Sequence, residues 1–229
     1  KTTRKRALKY RIDRIEGQPP RIELEVFAPE SDEDVPVRTV ANAKATCPAC
    51  GAVLPAERVR SQLAANRGGA DVTFDNEGGR IGGARLMAVV TLKPGVQGRH
   101  YRPPNRRDYD AVWRAQRRLL EIVKDWERGG RQGLCPVPDE PLPPVGTLGF
   151  RVQRYGMLQW GDLFTARQKV ALVTLARGLR STSVLGRPLS LALGKLADLA
   201  NDVCPWEPIA ECPRNVLSNG RLKPAWDFA

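Results

Sequence analysis

Nineteen prolines and 21 glycines in 229 residues restrict this chain to short elements joined by long loops. Proline lacks a backbone N–H and fixes φ, while glycine loses more chain entropy on folding than any other residue. Aromatic residues make up 6% of the chain, which leaves a modest core. A hydrophobic content of 41% still excludes wholesale disorder. The length suits one domain or two small ones. No run approaches the roughly 20 apolar residues of a membrane span, and no secretory signal opens the chain. Five cysteines are too few for a disulfide scaffold, and their odd number argues against full pairing. A reducing cytoplasm is the expected compartment. The chain opens at Lys1 and closes on the apolar Trp226-Asp227-Phe228-Ala229. We expect it to be a piece of a longer polypeptide.

The hydropathy pattern predicts an α+β fold: a β-rich, zinc-ribbon-like N-terminal part followed by a mainly helical C-terminal part. Leu8, Tyr10 and Ile12 alternate with charged neighbours, as do Ile22, Leu24 and Val26, and Gly17-Gln18-Pro19-Pro20 lies between. Two period-2 runs with that break predict an antiparallel hairpin. An acidic stretch, Glu30 to Asp34, reads as a solvated loop. A strand is expected over Val37–Thr46, a short helix over Pro55–Ala65, and a loop over Gly68–Gly83. Ala84–Leu92 reads as the best buried strand, and Arg99–Pro104 as extended chain. Tyr109, Val112, Trp113, Leu119, Leu120 and Val123 form an apolar stripe at helical spacing and predict a helix over Arg106–Glu127. In domain terms, 1–104 is a β-rich insertion and 105–128 a basic amphipathic helix. Residues 129–149 form a proline-rich connector, and 150–229 a helical segment. Within the last, Thr165 caps a helix reaching about Leu179, and Leu189–Val203 forms another.

Cys47-Pro48-Ala49-Cys50-Gly51 is the sharpest local motif. Two thiolates two residues apart can grip one zinc in a tight turn, and glycine after the second lets the backbone curl beneath them. Zinc needs four ligands, and Cys135, Cys204, Cys212 and the lone His100 are scattered. Cys47 and Cys50 therefore read as half a zinc site, or as a plain cysteine pair. Charge is the second signal. Lysine and arginine number 37 against 25 acidic residues, a formal net charge of +12. Lys1, Arg4, Lys5 and Arg6 crowd the start. Arg99, Tyr101, Arg102, Arg106, Arg107 and Arg114 crowd the middle. Such clusters attract phosphates and release counterions, and interleaved aromatics can stack on exposed bases. The same residues could instead form a solvated basic face, or dock acidic partners. No catalytic constellation accompanies them. One histidine leaves little for acid–base work, and Gly78–Gly83 precedes a strand where a phosphate cradle would follow one.

Several segments, in order, resemble the large zinc-containing adenine-specific DNA methylases of bacterial anti-phage and restriction operons. The most distinctive are Gly149-Phe150-Arg151-Val152-Gln153-Arg154-Tyr155-Gly156-Met157 and Trp160-Gly161-Asp162-Leu163-Phe164-Thr165-Ala166-Arg167-Gln168. Thr46–Gly51, Val59-Arg60-Ser61-Gln62, the Gly68-Gly69-Ala70 turn, Ala84–Val90, Gly98–Pro104, Leu191–Leu199 and Ala225–Ala229 agree as well. The likeness covers nearly all of the chain after about residue 40.

The resemblance implies a parent enzyme that uses S-adenosylmethionine and methylates adenine N6. The family's cofactor motif and its Asp-Pro-Pro-Tyr catalytic motif both lie outside these residues. Pro19-Pro20-Arg21, Pro103-Pro104-Asn105 and Pro143-Pro144-Val145 all lack the tyrosine. The resemblance thus makes this chain the region between the two motifs, with an earlier cysteine pair completing the zinc site. It also implies contacts with DNA, with the rest of the methylase and with other defence proteins, and no membrane. Trp160, Gly161 and Asp162 would border the active site; the alternative is a core tryptophan beside a helix cap. Two other readings compete: a free-standing nucleic-acid-binding module, and an interaction scaffold in a defence complex.

Overall fold

In the computed structural model, which describes residues 5–68, 71–180 and 186–216, four helices and several small antiparallel sheets make the fold α+β. Lys1, Arg4, the Gly69-Ala70 dipeptide and Ala225–Ala229 lie outside the described residues. The alternating runs form the expected hairpin. Strand β1 (Ala7–Asp13) pairs with β2 (Arg21–Phe27), Ala7 opposite Phe27 and Asp13 opposite Arg21. The acidic stretch is an exposed 3-10 turn, Asp32–Asp34. Its Asp34 carboxylate accepts the Glu30 and Ser31 N–H groups at 2.8 Å each, and these bonds hold the carboxyl below its ordinary value.

The next segment departs from expectation. The strand expected over Val37–Thr46 is broken into β3 (Val40–Ala41) and β4 (Lys44–Thr46), which fold onto each other. Asn42 and Ala43 make the turn at φ of 51° and 61°. Two left-handed residues are the signature of a type I′ hairpin, but the sequence lacks the usual glycine there. Strand β5 (Val53–Leu54) completes a three-stranded sheet in the order β3-β4-β5. Helix α1 (Ala56–Ala64) follows where it was expected, with Pro55 at its N-cap and Val59 buried.

The expected loop over Gly68–Gly83 also contains structure. Strands β6 (Val72–Phe74) and β7 (Arg80–Gly83) form a hairpin around Asp75, whose carboxylate accepts the Glu77 and Gly79 N–H groups. Glycine supplies what alternation could not announce. A Cβ on Gly83 would lie 2.5 Å from the Asp71 carbonyl oxygen, at a φ of +66°. The expected buried strand over Ala84–Leu92 shrinks to β8 (Val89–Thr91), paired with β9 (His100–Arg102). Leu92 is 67% exposed, because a two-stranded ribbon covers one face at most.

Helix α2 (Arg106–Arg128) matches the prediction to one residue. Asn105 caps it: its side chain accepts the Asp108 N–H, and Asp108 in turn accepts the Asn105 N–H at 2.7 Å. This reciprocal arrangement satisfies two amides that a helix start leaves orphaned. The apolar stripe needs one correction. Ile122 is 1% exposed while Leu120 is 60% exposed; Val112 is buried and Tyr109, Trp113, Leu119 and Val123 are half-buried as expected.

The main core sits in the C-terminal part, around Leu142, Phe150, Val152, Met157, Leu163, Val203 and Val216. Short 3-10 turns at Thr147–Gly149, Val152–Tyr155 and Trp160–Leu163 carry much of it, so helices alone do not build this half. The proline-rich segment delivers Leu142 to that core, and the Leu142 N–H donates to the Leu158 carbonyl. Helix α3 (Ala166–Arg180) begins after Thr165 as expected, while α4 spans Gly186–Leu199 and ends earlier than predicted. There Asn201 folds back, its amide donating to Ala197 and its oxygen accepting the Val203 N–H. A small ribbon of β10 (Trp206–Glu207) and β11 (Cys212–Pro213) closes the described chain. Among the described residues no helix is long and apolar enough to cross a membrane.

Candidate functional site

The arginines of the middle cluster divide into engaged and free groups. Arg102, on β9, grips Asp108 with two nitrogens at 2.6 and 2.8 Å, and this pair holds the Asp108 carboxyl down to about 2. Tyr101 is half-buried. Its ring meets Trp206 edge-on at 6.3 Å, and its hydroxyl donates to Glu211 at 2.9 Å. Burial and the Glu211 charge push that hydroxyl up to about 12. Arg99, Arg106 and Arg107 are exposed and make no ion pair or side-chain hydrogen bond with any described residue. Arg114 is exposed too, with only a long bond of 3.4 Å to the Asp110 carbonyl. Arg107 and Arg114 are seven residues apart, so they share a helix face, while Arg106 lies on the flank. The second half of α2 differs. Arg118 and Arg128 pair with Glu121 and Asp125, and Arg131, just past the helix end, pairs with Glu127. Free positive charge is therefore concentrated on the first half of the helix. Of the N-terminal cluster, Lys5 pairs with Asp32 at 2.7 Å and Arg6 is exposed.

Cys47 to Ala52 forms the turn between β4 and β5, where Thr46 pairs with Val53. The Cys47 N–H donates to the Ala52 carbonyl and the Gly51 N–H to the Cys47 carbonyl, both at 2.8 Å. Gly51 has a φ of +74°, the left-handed conformation that glycine adopts without strain. The backbone N–H groups of Cys50 and Ala49 hold the Cys47 thiol below its ordinary value, with the Cys50 thiol and the Arg14 charge adding to them. Arg14, just beyond β1, donates to the Ala49 carbonyl and so ties the first hairpin to this turn. The donor set fits two of the four positions of a structural zinc. No group of three or more potential ligands occurs among the described residues.

Of the three residues Trp160, Gly161 and Asp162, Asp162 lines a cavity of about 330 Å³ with Arg67, Asp71, Phe164 and Lys169 among others, and Trp160 and Gly161 do not. Trp160 packs edge-on against Phe150 at 6.0 Å. Gly161 is pinned: a Cβ there would lie 2.5 Å from the Pro138 carbonyl oxygen. Asp162 is buried, and one oxygen accepts the Leu158 and Gln159 N–H groups at 2.9 and 3.0 Å. Its other oxygen pairs with Arg67 at 2.8 Å. Asp71 accepts the Ala166 N–H at the start of α3.

No protein-family model, curated protein or solved structure matches this chain. The site therefore rests on its own geometry. Its charged cavity was invisible in the sequence, because Arg67 and Asp71 come from one segment and Asp162 and Lys169 from a distant one, with no shared motif. Lys169 is pushed down by burial more than Asp71, Asp162 and Asp202 pull it up.

Asp202 is exposed, yet it lines a separate depression of about 660 Å³ with Asn66, Tyr155 and Val203, where protein crowds its carboxyl. That crowding, with the nearby Asp71 charge, pushes its carboxyl up to about 6. A carboxyl raised above its unfolded value of about 3.9 binds protons more tightly when folded. Its contribution is therefore most favourable below about pH 4 and declines as the pH rises through about 6. Asp202→Asn removes that decline. At pH 7 the variant should be more stable than the parent by about 1 kcal/mol, a figure reduced for solvent screening. At pH 4 the two should coincide. Urea unfolding at both pH values checks this, and a constant difference across the range would rule it out.

Proposed function

We propose that this chain is a non-catalytic, DNA-engaging segment of a bacterial S-adenosylmethionine-dependent DNA adenine-N6 methyltransferase of a restriction or anti-phage system, acting in the cytoplasm. The observation that carries the DNA role is the free, exposed charge of Arg99, Arg106, Arg107 and Arg114 in a chain of net charge +12. The methylase kinship rests on the ordered resemblances from Thr46–Gly51 to Trp160–Gln168. Methylating adenine N6 requires the base to leave the duplex, so the enzyme must grip distorted DNA. Arginines on a rigid helix suit that task, since phosphate contacts fix register without reading sequence. Methyl transfer belongs to the parts of the parent that carry the cofactor and catalytic motifs. Cys47 and Cys50 supply half of a zinc site whose other two ligands lie outside these residues. The zinc fixes the β4–β5 turn and, through Arg14, the first hairpin. The rest of the methylase and other defence proteins are the expected partners.

Anisotropy of a labelled duplex, titrated with the chain at several salt concentrations, tests the DNA role. A micromolar or tighter affinity that falls steeply with salt supports it. Absence of binding at low salt removes nucleic acid from this segment.

A further inference from the structure

Two of the sequence motifs, Val59–Gln62 and Gly149–Met157, meet in the structure. Helix α1 packs on the Val152–Tyr155 turn at close quarters: a Cβ on Gly156, at a φ of +92°, would lie 2.5 Å from the Ala64 Cα. Across that contact the Arg60 guanidinium stands over the Tyr155 ring, 6.0 Å from its centroid. Arg60 is half-buried, and its Nε is buried with no hydrogen-bond acceptor among the described residues. Glu57, the acidic residue of α1, does not pair with it. A charge partly withdrawn from water is costly unless an opposite charge joins it. The turn adds two more arginines. The Arg154 N–H donates to the Arg151 carbonyl at 3.2 Å, and side chains three apart in a 3-10 turn project along one edge. Both are exposed, and neither makes an ion pair or side-chain hydrogen bond with any described residue. No acidic residue occurs between Gly149 and Gly161.

We infer that Arg60, Arg151 and Arg154 form a second phosphate hold, which takes the backbone of the bound DNA. The inference rests on the DNA-engaging reading and adds a site on elements other than α2. Guanidiniums that share no carboxylate select an anion. Stacking on Tyr155 fixes the plane of Arg60, so its outer nitrogens can fork onto two phosphate oxygens. Arg151 and Arg154 act beside it as further charge contacts along the strand. Distorting a duplex takes force at more than one place, so a hold besides α2 suits a protein that grips DNA around an extruded base.

The test is the salt dependence of duplex binding by the 229-residue chain, read by anisotropy, with Arg151→Ala and Arg154→Ala combined. Two lost phosphate contacts should flatten the slope of log affinity against log salt by about 1.8, and weaken binding roughly tenfold to a hundredfold at about 0.1 M salt. Lysine at both positions keeps the charge and should return the slope to the parent value. Arg60→Lys loses the fork alone, and should weaken binding several-fold at an unchanged slope. Arg38→Ala with Lys44→Ala removes the same net charge from the β3-β4 region and should change the slope far less. An equal change in that control pair overturns the hold. Salt-dependent binding by the parent with the same slope in the Arg151/Arg154 alanine pair overturns it too, and leaves the DNA reading intact. No binding by the parent overturns both. Calorimetry with inorganic phosphate tests the other source of the anion. Phosphate bound by the parent and not by the alanine pair, with duplex slopes alike, assigns the site to the free anion and overturns its assignment to DNA.

Discussion

Asp162→Ala is expected to lower the stability of the chain by about 3 kcal/mol, the largest effect of any single side chain described here. The Asp162 side chain is 5% exposed, accepts two hydrogen bonds and pairs with Arg67. Both come from backbone N–H groups just before the Trp160–Leu163 turn, and neither amide has another hydrogen bond among the described residues. A buried donor left without a partner costs about 1–3 kcal/mol. The ion pair with Arg67 adds less, because the Arg67 side chain is 64% exposed and its charge is largely screened. Arg67→Ala should therefore cost at most about 1 kcal/mol. Asp162→Asn keeps one acceptor oxygen and should fall between the two. Urea denaturation of the three variants checks the order, with the slope unchanged if the native state stays compact. A loss below about 1 kcal/mol for Asp162→Ala would mean that water satisfies the Leu158 and Gln159 amides. In that case Asp162 would be free for a role beyond holding the Trp160–Leu163 turn.

Local interactions made part of this fold legible in the sequence. The β1–β2 hairpin follows from alternation alone, because Leu8, Tyr10 and Ile12 must share a face in any extended chain. Helix α2 has Pro103-Pro104 before it, a cap in Asn105 and Asp108, and glycine after it, so every signal for its ends lies within a few residues. The Cys47–Gly51 turn is likewise written in five consecutive residues. What escaped depends on distant partners. Ala84–Leu92 is as apolar as a core strand, yet its burial depends on what packs against it, and among the described strands β8 pairs with β9 alone. Ile122 is buried and Leu120 exposed because the neighbours of α2 decide how far the buried face extends, and periodicity alone does not fix its edges. The β6–β7 hairpin hides behind glycines whose value lies in close backbone approach, which no hydropathy pattern records. The cavity is the extreme case: Arg67 meets Asp162 across 95 residues, and Asp71 meets Ala166 across the same span.

Replacing Arg106, Arg107 and Arg114 together by alanine should weaken duplex binding by roughly two to three orders of magnitude at about 0.1 M salt. Each arginine that neutralises a phosphate contributes about 0.9 to the slope of log affinity against log salt. Losing three contacts should therefore flatten that slope by about 2.7. Arg102 is left in place because it is held by Asp108, and removing it would disturb the start of α2 as well as the charge. Alanine favours the helix, so circular dichroism should show α2 intact. The decisive comparison is with Arg38→Ala, Lys44→Ala and Lys93→Ala combined. These residues are also exposed, and the triple variant loses the same net charge from the N-terminal sheets and loops. If the basic half of α2 is the contact surface, this second set should change the slope by less than about 1. Equal losses from both sets would show that DNA is held by the overall field of a +12 chain and not by a site on α2. The contrast separates the two because long-range attraction depends on net charge, whereas counterion release depends on which side chains touch phosphates.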